Sequence, residues 1–410
     1  MKALGPIPAG FGTREGELAI DGERVSELVE RAGDTPLFVY SSTMIAAQVA
    51  QLRSAMPSRL AIHYAVKANS YAPVLELMAG LVDGFDSASA GELAMVEAAG
   101  IAPERVSFAG PGKRDAELAA AIGSGVTLNL ESMGEATRAL AIADRLGVVP
   151  RLAVRVNPSF DLKGSGMRMG GGARQFGIDA EKVPEVIRLI RGAGADWRGL
   201  HIFAGSQALD PDAISKTQAQ TLALAAQIAE AVDVPLPKLN LGGGFGIPYF
   251  PDDSVLDVKA IGHKLAVEFD NLPEALADTQ LCIELGRWLV GESGVYLTRV
   301  VDCKESHGEV FLVTDGGLHH QLAASGNFGT VIRRNYPVAI ASRFAEPATE
   351  EASVVGCLCT PLDRLADKAL FPRAEVGDLV AVFCAGAYGA SASPSAFLGH
   401  GPAREMLLPG

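Results

Sequence analysis

His63-Tyr64-Ala65-Val66-Lys67-Ala68-Asn69 closes an apolar run that begins at Leu60. Leu60 to Val66 reads as a short buried strand. The run ends in a lysine and an asparagine, residues that a core seldom holds. A lysine that leaves an apolar strand where a loop begins has two readings. It caps the strand edge in water, or it serves chemistry. In a dry site the ammonium form is penalised, and the free amine becomes nucleophilic. The rest of the chain decides between the two.

The chain has 410 residues, enough for two or three domains. Hydrophobic residues make up 48% and there are 46 glycines, which suits an α/β protein with many tight turns. The net charge of −13 argues against a nucleic-acid binder and against docking on an anionic membrane surface. Met1 to Gly10 carries no apolar signal core, and no run approaches the roughly 20 apolar residues of a membrane span. The five cysteines, 282, 303, 357, 359 and 384, show neither zinc nor disulfide spacing. A reduced cytoplasm is the expected location.

Outward from Lys67, short apolar runs alternate with alanine-rich helical segments. Leu37-Phe38-Val39-Tyr40 forms a first strand after Thr35-Pro36. Eight runs then follow: Ala61–Val66, Gly84–Asp86, Val106–Ala109, Val126–Leu130, Leu152–Val156, Gly199–Phe203, Leu239–Leu241 and Leu281–Leu285. Segments of helical period lie between them, at Ala90–Ala99, Asp115–Ile122, Met133–Leu146, Ala180–Gly192 and Ala213–Val232. Strand and helix alternating eight times predict a (β/α)8 TIM-like barrel over residues 36–285. Past residue 290 the texture changes. Tyr296–Val301, Val310–Thr314, Ser353–Cys359 and Leu379–Cys384 read as strands with few helices between, a second, mostly β domain over residues 286–410. Residues 1–35 are expected to join that domain. Residues 163–173, rich in glycine, read as a linker or a lid.

Chemistry in such barrels gathers at the C-terminal ends of the strands. There the runs end in Lys67, in Asp86 with Glu92 soon after, in Arg155, in Gly205-Ser206-Gln207, in Gly242-Gly243-Gly244-Phe245-Gly246, and in Glu284 followed by Gly286 and Arg287. Each alone has a plain reading: a solvated lysine, a tight turn, a local ion pair. Together they assemble a lysine, a backbone cradle for an anion and an acid for a heterocyclic nitrogen. The glycine spacing is not that of a dinucleotide site. A lysine, a phosphate cradle and such an acid are the parts of a pyridoxal phosphate (PLP) site.

At these motifs the chain resembles the fold-type III PLP decarboxylases, the ornithine and diaminopimelate decarboxylase family. The resemblance runs over Tyr64-Ala-Val-Lys67-Ala-Asn69, Gly84-Phe-Asp86-Ser-Ala-Ser-Ala-Gly-Glu92, Arg155-Val-Asn-Pro158, Gly205-Ser206-Gln207, Gly242 to Gly246, Glu284-Leu-Gly286-Arg287 and Gly386-Ala-Tyr388. It implies that Lys67 is the lysine to which PLP is covalently attached. Ser206, Gly243, Gly244, Arg287 and Tyr388 would hold the phosphate, and Glu284 the ring nitrogen. Asp86, Glu92 and Arg155 would support them. Cys359 matches the family's proton donor, which comes from the partner of a homodimer with shared active sites. Cys357 is expected to be a buried structural cysteine.

Two departures bear on function. Phe203 stands where the family usually has the histidine that stacks on the cofactor, with His201 two residues earlier. Thr360 follows Cys359 where diamino-acid decarboxylases carry an acid for the substrate's distal ammonium. A buried ammonium without a partner is costly, so free lysine, ornithine or diaminopimelate fits poorly. The chain is similar to the branch holding the butirosin-pathway and exosortase A-associated decarboxylases, through Asp315-Gly-Gly-Leu-His-His320, Arg334-Asn-Tyr-Pro337 and Leu358-Cys-Thr-Pro361. That resemblance implies an amino acid held as a carrier-protein thioester, with an acyl carrier protein as partner. Thr360, Asp363 and Arg333 are the candidate substrate contacts. Lys113-Arg114 and Arg333-Arg334 are candidate docking patches, or else solvated pairs. A free basic amino acid as substrate, and a non-catalytic regulator of the same fold, are the alternatives. No metal site is expected, because His319 and His320, adjacent on a strand, would face opposite ways.

Overall fold

The computed structural model describes residues 1–326 and 334–410. The chain divides into two compact units, one of Val49–Gly246 and Val255–Gly286, the other of Met1–Gln48, Ile247–Ser254 and Arg287–Gly410. All eight expected runs become barrel strands: β1 (Ala61–Ala65), β2 (Gly84–Ser87), β3 (Val106–Phe108), β4 (Thr127–Leu130), β5 (Arg151–Asn157), β6 (Asp196–Ile202), β7 (Lys238–Gly243) and β8 (Gln280–Leu285). They pair in parallel in chain order, and β8 returns to β1 with Glu284 opposite His63. The helices Ala90–Ala98 and Met133–Leu146 start where Ser89 and Ser132 accept the backbone N–H of Glu92 and Glu135. Gly147 ends the second in the left-handed conformation.

The barrel strands alternate. Ile62 and Tyr64 on β1, Leu128 and Leu130 on β4, and Leu239 and Leu241 on β7 are buried. By the strand's two-residue period they share the outer face, against the helices. The inner face is polar instead. His63, Asp86, Ser107, Asn129, His201 and Asn240 line a cavity of about 230 Å³ at the barrel's interior. Barrels of this kind usually fill that space with branched apolar side chains.

The second unit is mostly β. Gly294–Ser306 is its spine, pairing antiparallel with Leu379–Val382, Glu309–Thr314 and Leu37–Ser41. Arg404–Leu408 runs parallel to Leu37–Ser41. Leu18, Leu28, Leu37, Val295, Leu379 and Phe383 belong to one buried cluster.

Several boundaries differ from the sequence reading. The first unit begins at Val49 rather than residue 36, because Leu37–Tyr40 hydrogen-bonds into the β sheet. The strand expected over Ser353–Cys359 ends at Val355, which leaves Cys357 to Thr360 in a loop. Within residues 163–173, Met167–Arg168 pairs antiparallel with Gly205–Ser206.

Candidate active site

Lys67 lies in a single helical turn, Val66–Ala68, directly after β1. Two contacts fix the chain beyond it. The Tyr64 hydroxyl donates to the Asn69 carbonyl at 2.8 Å, and the Asn69 side chain accepts the Tyr71 N–H at 3.0 Å. The ammonium is 3.9 Å from Glu284 Oε1 and 5.4 Å from the centre of the Phe203 ring. The Lys67 side chain is 41% exposed whereas Glu284 is 6% exposed, so the lysine stands at the mouth and the acid below it. His201 on β6 approaches the other carboxylate oxygen, with Nε2 3.0 Å from Glu284 Oε2. Its Nδ1 is buried with no hydrogen-bond partner among the described residues.

The supporting residues divide into three groups. Asp86 faces His63 Nδ1 at 3.0 Å and accepts from the Ser107 hydroxyl. Burial pushes its carboxyl up, but His63, His201 and Ser107 more than offset this and hold it at about 2. Lys238 Nζ meets the far nitrogen of His63 at 2.8 Å. Glu92 accepts the Ala88 N–H, and burial raises its carboxyl above the usual value against the pull of Lys67. Arg155 pairs with Glu131 at 2.9 Å and stacks 4.9 Å from the Phe176 ring. Glu131 also accepts the N–H groups of Gly110 and Gly177.

The glycine loop and the serine loop run side by side. Gly244 takes φ +84°, and its carbonyl accepts the Ala208 N–H at 2.9 Å. A Cβ on Gly244 would sit 2.4 Å from the Gly205 carbonyl, and one on Gly243 would sit 1.9 Å from the Glu284 carbonyl. Neither position has room for a side chain. Gly286 likewise faces Ala65 and Ala68, where a Cβ would approach the Ala68 methyl to 2.7 Å.

Arg287 and Tyr388 belong to the second unit. Arg287 is buried, donates to the Tyr249 hydroxyl at 2.6 Å and lies 4.6 Å from the centre of the Tyr388 ring. Burial pushes the Tyr249 hydroxyl up to about 12, despite the arginine beside it. Arg287 Nε has no hydrogen-bond partner among the described residues. Cys359 is exposed in the loop between Glu350–Val355 and Arg364–Phe371. The Thr360 hydroxyl accepts the Leu362 N–H at 3.3 Å.

Three expectations meet a different arrangement. Asp363 is buried, and its two oxygens accept the N–H groups of Leu318 at 2.6 Å and Leu358 at 2.8 Å. It fastens two backbone segments to each other. Lys113 is no surface patch either. Its ammonium is buried against Glu135 at 2.5 Å and the carbonyls of Gly110 and Asn129. Burial draws it below the usual lysine value while Glu135 pulls it back. Cys357 is partly exposed. Arg333 lies outside the described residues. His63, Glu131 and His201 had no role in the sequence reading. The signal available for two of them was their alternation with apolar neighbours on β1 and β6.

Residues 42–291 match the pyridoxal-dependent decarboxylase family, pyridoxal binding domain. The chain belongs to the pyridoxal-dependent decarboxylases. It is 35% identical over 397 residues to the L-glutamyl-[BtrI acyl-carrier protein] decarboxylase of Niallia circulans, covering 95% of this chain and 92% of that one. It is 33% identical to the diaminopimelate decarboxylase of Methanothermobacter thermautotrophicus, over 92% and 88% of the two chains. Among solved structures, the diaminopimelate decarboxylase of Helicobacter pylori complexed with L-lysine superposes with a TM-score of 0.82 at 27% identity, over 94% of each chain.

PLP is therefore the cofactor and carboxyl removal the class of reaction. The barrel residues fit such a group. Lys67 offers an amine at the barrel mouth, Glu284 a buried carboxylate beneath it and Phe203 a flat apolar face. Among the described residues no helix is long and apolar enough to cross a membrane.

Proposed function

We propose that this decarboxylase removes the α-carboxylate of an amino acid whose distal end carries no charge, presented as a glutamyl-like thioester on an acyl carrier protein. The observation that carries this reading is the loop from Gly356 to Asp363. Its one carboxylate, Asp363, is buried and accepts two backbone N–H groups, and the preceding candidate, Thr360, is a neutral hydroxyl. A substrate ammonium brought there would find this loop's one carboxylate buried and already tied to two backbone N–H groups, and an uncompensated charge in a dry site is strongly disfavoured. The carrier-dependent relative from Niallia circulans supports the same reading.

In this reading Lys67 would hold the cofactor through its amine. Glu284 would face the ring nitrogen, and His201, 3.0 Å from its Oε2, orients that carboxylate. When bound, PLP supplies the sink for the electron pair that stays behind as CO2 leaves. Ser206, Gly243, Gly244, Arg287 and Tyr388 would hold its phosphate. Phe203 would offer the ring a flat apolar face that cannot donate a proton. Cys359, exposed in its loop, returns a proton to the product carbon in the barrel of a second copy of the chain. That makes the working form a homodimer.

Incubation with free and carrier-loaded amino acids, read by intact mass, tests this. Loss of one CO2 from a glutamyl carrier, with free diaminopimelate, lysine and ornithine left untouched, is the expected result. Fast turnover of a free diamino acid with no carrier present would replace it with the activity named for the diaminopimelate relatives.

A further inference from the structure

Asp315-Gly-Gly-Leu-His319-His320 leaves the strand Glu309–Thr314 and turns back on itself, with the N–H groups of His320 and Gln321 both bonded to the Gly317 carbonyl. The two histidines therefore do not face opposite ways. Their ring centres are 3.8 Å apart. His320 is fully engaged, with Nδ1 3.1 Å from the Tyr296 hydroxyl and Nε2 3.0 Å from the Gly401 carbonyl. His319 is wholly buried, yet neither ring nitrogen has a hydrogen-bond partner among the described residues. Two orphaned nitrogens on one buried imidazole call for an explanation, since buried polar atoms are nearly always satisfied.

Two further donors face it. The His400 ring centre is 4.7 Å from that of His319, and Cys357 Sγ is 3.9 Å from His400 Nε2. One ligand atom from each of His319, Cys357 and His400 lies within 4.8 Å of the other two. The arrangement is built from three separate segments. Asp363 ties the His319 turn to the Cys357 loop through the N–H groups of Leu318 and Leu358. A Cβ on Gly317 or on Gly356 would come within 2.2 Å of that carboxylate, so both segments need glycine there. His320 holds Gly401, the residue next to His400.

We propose that His319, Cys357 and His400 form a binding site for a divalent metal ion, zinc by preference. Two imidazoles and a thiolate suit this borderline-soft cation. Zn–N bonds of about 2.0–2.1 Å and a Zn–S bond of about 2.3 Å put tetrahedral ligand atoms roughly 3.4–3.6 Å apart. The three donors reach that spacing by drawing in about an ångström, which the exposed His400 side chain can supply. His319 is buried, Cys357 partly exposed and His400 exposed, so the ion has a path in and keeps a fourth position for water. On binding, the Cys357 thiol gives its proton to solvent and the thiolate takes the metal. Cys357 is two residues before Cys359, so a filled site fixes the loop that carries Cys359 and Thr360.

The test uses the full-length, PLP-loaded protein after chelator treatment and desalting. Equilibrium dialysis against zinc alone should return one ion per chain by elemental analysis. Cobalt should give a thiolate-to-metal absorption in difference spectra, lost in Cys357→Ser and kept in Cys359→Ser. His400→Ala, at an exposed position, should weaken zinc affinity at least tenfold with the far-UV dichroism unchanged. His319→Gln should do the same if it folds, and His400→Ala carries the test if it does not. Wild-type protein that binds no more zinc than Cys357→Ser and His400→Ala, or a cobalt–thiolate band that survives Cys357→Ser, would overturn the site.

Discussion

Replacing Asp363 by asparagine should unfasten the loop that carries Cys359. The carboxylate is 3% exposed, and its two oxygens accept N–H groups from Leu318 and Leu358 at 2.6 and 2.8 Å. Asparagine keeps one acceptor and turns an NH2 toward the other N–H. One charge-assisted bond becomes a neutral one, and one buried N–H loses its acceptor. At about 1–3 kcal/mol for each change, the β unit should lose about 2–6 kcal/mol. At roughly 2–4 °C per kcal/mol the thermal midpoint should fall by about 4–24 °C. Differential scanning calorimetry on the purified protein reads this directly, with steady-state kinetics on the same sample. If Asp363 instead gripped substrate, the midpoint would stay put while KM rose. That pair of results would refute the fastening role.

Other perturbations separate the roles of the barrel's polar residues. Asp86 is held at about 2 against an ordinary 3.8, so its contribution is complete above the ordinary value and is lost as pH falls toward 2. Urea titrations between pH 5 and pH 2 should show Asp86→Asn losing about 2 kcal/mol less stability than wild type over that range; parallel acid limbs would contradict the pairing with His63. His201→Phe removes the hydrogen bond to Glu284 and should lower kcat roughly 10- to 100-fold with KM little changed; unchanged kcat would remove His201 from the site. Lys113→Met strands the buried Glu135 carboxylate and should cost about 3–5 kcal/mol in denaturant titrations. Arg114→Ala, next to it and exposed, should stay within about 0.5 kcal/mol. Equal effects would mean that Lys113 is a surface residue after all.

The barrel was legible because its outer face is written in apolar residues. Ile62, Tyr64, Leu128, Leu130, Leu239 and Leu241 marked the strands, and their spacing set the alternation with helices. The same runs hid the interior. His63, Asn129, His201 and Asn240 sit between those apolar residues, and reading each run as uniformly buried passed over the two-residue period that turns them inward. Lys67, Glu284 and the glycine loop were legible because polar residues and glycines at a strand's end have few structural reasons to be there. Asp363, Lys113 and His319 were not. Their partners, Leu318 and Leu358, Glu135, and Cys357 with His400, come together only through tertiary packing. Leu37–Tyr40 was placed one domain too late because a strand's pattern does not name the sheet it joins.

The lysine at the end of β1 remains the point on which the account turns. Borohydride reduction of the purified, PLP-loaded protein, followed by peptide mapping, would locate the cofactor's attachment. A pyridoxyl mass is expected on the peptide containing Lys67, and neither that adduct nor CO2 release in Lys67→Ala. An adduct on Lys113, Lys238 or any other lysine, or full CO2 release by Lys67→Ala, would contradict it.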